Sequence, residues 1–200
     1  MLLTNTRFGR TFLLTLTLLI TTIPALGFAL PFVNFGFKGG VGTSFVTGTD
    51  LYDEADSMPF AIGGAARFDL AFIQLEGNVL YQNVQFTSKD VSLFNINALQ
   101  LSLLGRFDLS PVPFLKLTVG TGIEQRSLLE VTTLDKLTLS EDLYNSQLSY
   151  LPISVCADFS IPLLGTVGGE LRYSHQMSEF IKAEPDLRFH TFMVYLHAFL

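Results

Sequence analysis

Two hundred residues, 48% hydrophobic and only 15% charged, with 19 Phe, no Trp and a formal net charge of −6, fit a single domain rich in apolar surface. The acidic balance excludes nucleic acid as an expected partner. A single cysteine, Cys156, excludes an internal disulfide framework.

The chain opens with Arg7 and Arg10, an apolar run from Phe12 to Ile20, and small residues around Ala25-Leu26-Gly27 and Gly27-Phe28-Ala29. That is the layout of a secretory signal peptide, expected over residues 1–29 with cleavage near 27–29, leaving 30–200 as the folded domain. Beyond it no apolar run is long enough for a membrane-spanning helix.

Segments of period two then recur. They are Asn34–Phe45, Ala61–Phe72, Gln74 to about Phe86, Leu99–Leu109, Leu115–Glu124, Leu151–Ile161, Thr166–His175 and Arg188–Leu200. In each, one parity is apolar and the other polar, as in Leu99, Leu101, Leu103 and Phe107 against Gln100, Ser102, Arg106 and Asp108. The connections alternate in length. Phe72-Ile73, Ser110–Pro113 and Pro162–Gly165 are tight, while Val46–Met58, Thr87–Asn95, Gln125–Ser149 and Gln176–Leu187 are long. Eight strands of near-membrane length, with short turns at one rim and long loops at the other, predict an all-β fold: an eight-stranded antiparallel up-and-down transmembrane β-barrel.

Period two does not by itself say which face is inside. Residue size does. The polar parity mixes long charged residues with Gly36, Gly40, Gly42, Gly63, Gly120, Gly122 and Gly168, which suits a narrow filled interior, whereas the apolar parity is mostly Leu, Phe, Val and Ile. The apolar face is therefore expected to meet lipid. Lys38, Arg67, Asp69, Glu76, Arg106, Asp108, Lys116, Asp158, Glu170 and Arg172 should form one structural charge belt in the lumen near the short-turn rim, with Glu124 also inward. Buried charge is tolerated when paired and hydrogen-bonded, and this set is nearly balanced.

With these features in place, the mature chain resembles the small eight-stranded outer-membrane barrels of the OmpA/OmpX type. The resemblance rests on "FKGGVGTSF", "LEGNVLYQ", "FLKLTVGTGIE", "GGELRYSH" and an alternating last strand. It implies a Gram-negative outer membrane, contact with outer-membrane and lipopolysaccharide-type lipid, insertion by the barrel-assembly machinery, and a plugged or very narrow interior. It also implies a periplasmic N-terminus and extracellular long loops. The chain departs from the pattern by ending Phe199-Leu200, with Leu200 in the lipid-facing register.

No cofactor is expected and no enzymatic activity. His175, His190 and His197 have no metal-ligand spacing and no Cys partner in sequence, so no metal is expected either. "ELRYSHQMSE" loosely resembles the His/Ser region of outer-membrane lipid A deacylases, with His175 on the lipid-facing parity, but Ser174 falls on the opposite face. A lipid A-modifying enzyme and a narrow passive pore are the alternatives to a structural and surface-interaction protein. Interaction is assigned to the long acidic loops. Within the third, Leu128, Leu129, Val131, Leu134, Leu137 and Leu139 form a candidate edge for strand addition to a surface partner.

Overall fold

The computed structural model describes residues 33–47, 56–70, 73–87, 94–109, 115–132, 144–162, 165–180 and 188–200. The expected signal peptide and Leu134, Leu137 and Leu139 lie outside them. Eight long strands run in chain order: β1 Val33–Thr47, β2 Phe60–Leu70, β3 Ile73–Thr87, β4 Phe94–Asp108, β5 Leu115–Thr132, β6 Gln147–Ile161, β7 Gly165–Gln176 and β8 Arg188–Phe199. Asp56–Ser57 continues β2 in the same register against β3, across the gap at Met58-Pro59. Every neighbour is antiparallel, and β1 pairs with β8 from Gly36↔Phe199 to Thr47↔Arg188, which closes the sheet into a barrel.

Side-chain alternation sorts the residues as the sequence pattern requires. Phe37, Val41, Ile62, Val79, Leu101, Leu103, Ile123, Val155, Leu171 and Leu196 are exposed on the outside, while Lys38, Glu76, Gln100, Arg106, Glu124, Glu170 and Arg172 are buried inside. A water-soluble barrel would do the opposite. On β4 the apolar outer face runs from Leu99 to Phe107, close to the roughly 9–11 residues a tilted strand needs to cross the hydrocarbon. Two luminal glycines are needed for fit. A Cβ at Gly40 would stand 2.6 Å from the Tyr195 ring, and one at Gly120 would stand 2.6 Å from Cγ of Arg106. Both large side chains lie across the neighbouring strand because that strand has none. At the short-turn end Gly165 takes φ +97°, a conformation that L side chains rarely adopt.

Towards the long-loop end the pattern inverts along the same strands. Val84, Ile96, Val131, Tyr144, Leu148, Tyr150 and Phe180 pack together as a buried apolar cluster. Outside them the wall turns polar. Tyr81 Oη and Asn83 Nδ2 both donate to Asn97 Oδ1 at 2.7 Å, Asn97 Nδ2 donates to Glu130 at 3.3 Å, and Gln125 donates to Gln147 at 3.1 Å. The barrel thus runs past its apolar belt as a short extension with oil inside and polar groups outside, the arrangement water favours. A bulge helps to build it. Asn97 faces Glu130 while Ala98 faces Leu128, so Leu129 is extra and the parity of β5 switches beyond it.

Candidate functional site: the luminal ion-pair network and the two barrel ends

Closure of the sheet brings distant charges together on the barrel axis. Glu76 on β3 accepts from Lys38 Nζ at 2.7 Å, Arg67 Nη2 at 2.8 Å and Arg106 Nη2 at 3.0 Å. Glu170 on β7 accepts from Lys38 Nζ, from the same Arg106 Nη2 at 2.6 Å and from Arg172 Nε at 2.7 Å. Arg67 reaches on to Asp158 at 2.7 Å, and Arg172 reaches on to Glu124 at 3.4 Å. Glu124 in turn accepts from Arg126 Nη2 at 2.7 Å. The chain Asp158–Arg67–Glu76–Lys38/Arg106–Glu170–Arg172–Glu124–Arg126 therefore threads the lumen continuously. Aromatic rings cover its cations: Arg67 lies 3.9 Å from the centroid of Phe199 and Arg126 lies 3.9 Å from that of Tyr150.

The charges do not form a single belt. Asp69, Asp108 and Lys116 stand apart at the short-turn rim, only half-buried, with Lys116 Nζ 2.9 Å from Asp69 and 3.8 Å from Asp108. Water at that rim lets this trio pair separately. Arg126, which the sequence pattern leaves among the loops, is luminal because β5 continues to Thr132.

The third-loop candidates divide. Val131 is fully buried, Leu128 packs against the same apolar cluster, and Leu129 is 61% exposed at the bulge. Leu128–Thr132 pairs with β4, and Leu128 N donates to Ser146 O at 2.7 Å, so the described part of this segment offers no free strand edge. Between the charge network and Phe180 lies a small, partly open cavity lined by Val84, Ile96, Leu128 and Leu148 and by Gln82 and Arg126.

Among the described residues neither serine of this motif, Ser174 or Ser178, hydrogen-bonds to His175. Ser174 is buried in the lumen and donates to Glu124 at 3.2 Å, while the Ser178 hydroxyl accepts from Ser149 N at 2.9 Å. The Nδ1 atom of His175 instead meets Nδ1 of His190 at 3.1 Å, and Tyr173 Oη lies 3.0 Å from that same His190 atom. The rings of Phe45 and Tyr173 stack on His190.

One constellation was invisible in sequence spacing. Cys156 Sγ, Asp158 Oδ1 and His197 Nε2 converge in the lumen, with Sγ–Oδ1 3.2 Å, Nε2–Oδ1 2.6 Å and Sγ–Nε2 3.9 Å. The expectation that no histidine has a Cys partner is corrected here. Cys156 and His197 are 41 residues apart and meet only because β6 and β8 flank β7.

No protein-family model matches the sequence, and no curated protein matches it. Solved structures do. Neisserial surface protein A superposes with a TM-score of 0.51 at 12% identity, over 82% of this chain and 96% of that one. Ail, the attachment invasion locus protein of Yersinia pestis, solved with the heparin analogue sucrose octasulfate, superposes at 0.48 and 10% identity, over 84% and 99%. OprG from Pseudomonas aeruginosa gives 0.42 at 12% identity, over 84% and 92%. The closed eight-strand sheet, the apolar exterior, the charged lumen and the likeness to the neisserial protein together show that the chain has the fold of the small eight-stranded outer-membrane β-barrels.

Proposed function

We propose that this protein is a non-enzymatic bacterial outer-membrane barrel with a closed lumen, whose long-loop end faces outward and carries a surface-interaction role. In this reading residues 1–29 are a signal peptide removed on export, the N-terminus and short turns face the periplasm, and the barrel-assembly machinery inserts the chain into a membrane with a lipopolysaccharide-type outer leaflet. The observation that carries it is the extension beyond the apolar belt. Spanning lipid does not require Val84, Ile96, Val131, Leu148 and Phe180 to build a second apolar core at that end. Such a core makes sense as a rigid base for loops that meet partners. The Lys38–Glu76–Arg106–Glu170 junction across the axis speaks against a passive pore.

The test has three parts. Epitope tags within 48–55 or 133–143 should be reached by antibody on intact cells, whereas tags within 110–114 should not. The purified barrel should give no reproducible single-channel current in a planar bilayer. Replacing 133–143 by a Gly/Ser linker should leave the heat-modifiable folded band intact and reduce adherence of expressing cells to neighbouring cells. Reversed tag accessibility overturns the orientation, steady conductance overturns the closed lumen, and unchanged adherence overturns the interaction role.

A further inference from the structure

We propose that Cys156, Asp158 and His197 form a binding site for one thiophilic divalent ion of the zinc class at the short-turn end of the lumen. The three residues come from β6 and β8, and β7 lies between them. Asp158 is opposite Gly168, and Gly168 is opposite His197. Because residue 168 has no side chain, Asp158 and His197 meet over it; a Cβ there would stand 2.6 Å from His197 Nε2. Cys156 lies two residues from Asp158 on the same strand face and completes the triangle.

The geometry suits an ion with sulfur, nitrogen and oxygen ligands. A tetrahedral zinc centre, from bond lengths of roughly 2.0–2.3 Å, needs ligand–ligand edges of about 3.4–3.6 Å. The observed edges are 3.2, 2.6 and 3.9 Å, so loading widens the Asp158–His197 contact by about 0.8 Å and closes the Cys156–His197 gap slightly. The carboxylate is already oriented. Its Oδ2 is held by Arg67 Nη1 at 2.7 Å, which leaves Oδ1 for the ion, the role outer partners play at metal sites. Within the ring, Nδ1 of His197 is buried and has no hydrogen-bond partner. In the empty site Nε2–H donates to the Asp158 carboxylate at 2.6 Å; on loading that proton moves to Nδ1 and the Nε2 lone pair passes to the ion.

Charge balance favours this ligand set. On loading, the Cys156 S–H bond breaks and its proton leaves to solvent. Sulfur–metal, imidazole–metal and carboxylate–metal bonds form, and no electron is transferred. Thiolate and carboxylate neutralise the dication, so the loaded centre is neutral, one unit more positive than the empty one, and Arg67 keeps Glu76 as a charged partner.

The full chain, folded in detergent micelles, tests this with Co(II) as the probe and Zn(II) as competitor. One Co(II) per chain should bind with a thiolate-to-cobalt charge-transfer band that Zn(II) erases. Cys156 is the sole cysteine, so that band reports this sulfur alone. Cys156→Ser should abolish the band, and His197→Gln should weaken Co(II) binding by more than about tenfold, each in protein whose heat-modifiable mobility shows a folded barrel. Absence of the band in the folded wild-type chain overturns the proposal, and so does His197→Gln binding equal to wild type. An equal band in the urea-unfolded chain also overturns it, because the thiol then binds without the fold. If neither variant folds, the wild-type band and its dependence on folding still decide.

Discussion

Glu76 on β3 and Glu170 on β7 stand on opposite walls, four strands apart in either direction, yet both accept a hydrogen bond from one nitrogen of Arg106, at 3.0 and 2.6 Å. Two carboxylates that close repel each other unless cations lie between them, and here Lys38 and Arg106 do. The junction is complete only with all four residues. Glu170→Gln or Arg106→Leu should therefore destabilise the folded barrel by about 3–5 kcal/mol, since either change leaves buried charge without its partner. Urea titration of the heat-modifiable band measures this. In a double-mutant cycle, Lys38→Met with Glu170→Gln should cost less than the two single changes together.

The position of the apolar belt predicts a height dependence on β4. Leu103 is 53% exposed at the middle of that belt, so Leu103→Arg should cost about 2–4 kcal/mol in a lipid bilayer. Asn97 lies where the outer wall has become polar, so Asn97→Arg should cost no more than about 1 kcal/mol. Equal costs at the two heights would move the belt edge.

The apolar cluster at the long-loop end should behave as a separate core. Leu148→Ala removes a buried side chain from it and should cost about 2–5 kcal/mol locally. Limited proteolysis should then cut the long-loop end faster while the membrane-embedded part keeps its folded mobility. Loss of the whole barrel would mean that the two cores are one cooperative unit.

Filling the space beneath Tyr195 should be costly although the added group is apolar. Gly40→Val places two methyls where the ring lies, with a penalty of about 1–3 kcal/mol from overpacking. Urea titration should show only partial recovery when Tyr195→Ala is added, because the ring is then gone but the Val194 carbonyl oxygen still stands 2.5 Å from the new Cβ.

Strand positions and the inside–outside assignment were legible in the sequence because lipid enforces strict alternation: one misplaced parity in Leu99–Phe107 would put Arg106 into hydrocarbon. Other features depend on contacts that alternation does not encode. The bulge at Leu129 switches parity without any glycine or proline to mark it, so Val131 looks like an edge residue when it is core. Val84 and Ile96 break the polar parity of their strands, and only the inverted extension gives them a reason. The reading that ends β5 at Glu124 loses Arg126 from the lumen. The Cys156–His197 approach needs the barrel to close, and no spacing rule reports it.

Closure also constrains the order in which the chain can enter the membrane. Lys38 and Glu170 are 132 residues apart, and Glu76 collects donors from β1, β2 and β4. A half-inserted sheet from β1 to β4 would hold Lys38, Arg67 and Arg106 around Glu76 with Glu170 and Asp158 still outside, and Asp69 and Asp108 at the rim without Lys116. Hydrocarbon would not tolerate an open face of incompletely paired charges, so the early strands need a wet or protein-lined surface against their inner face until β7 arrives. Insertion one hairpin at a time into bare lipid is therefore disfavoured, and the slow step in spontaneous refolding should be the arrival of the last two strands.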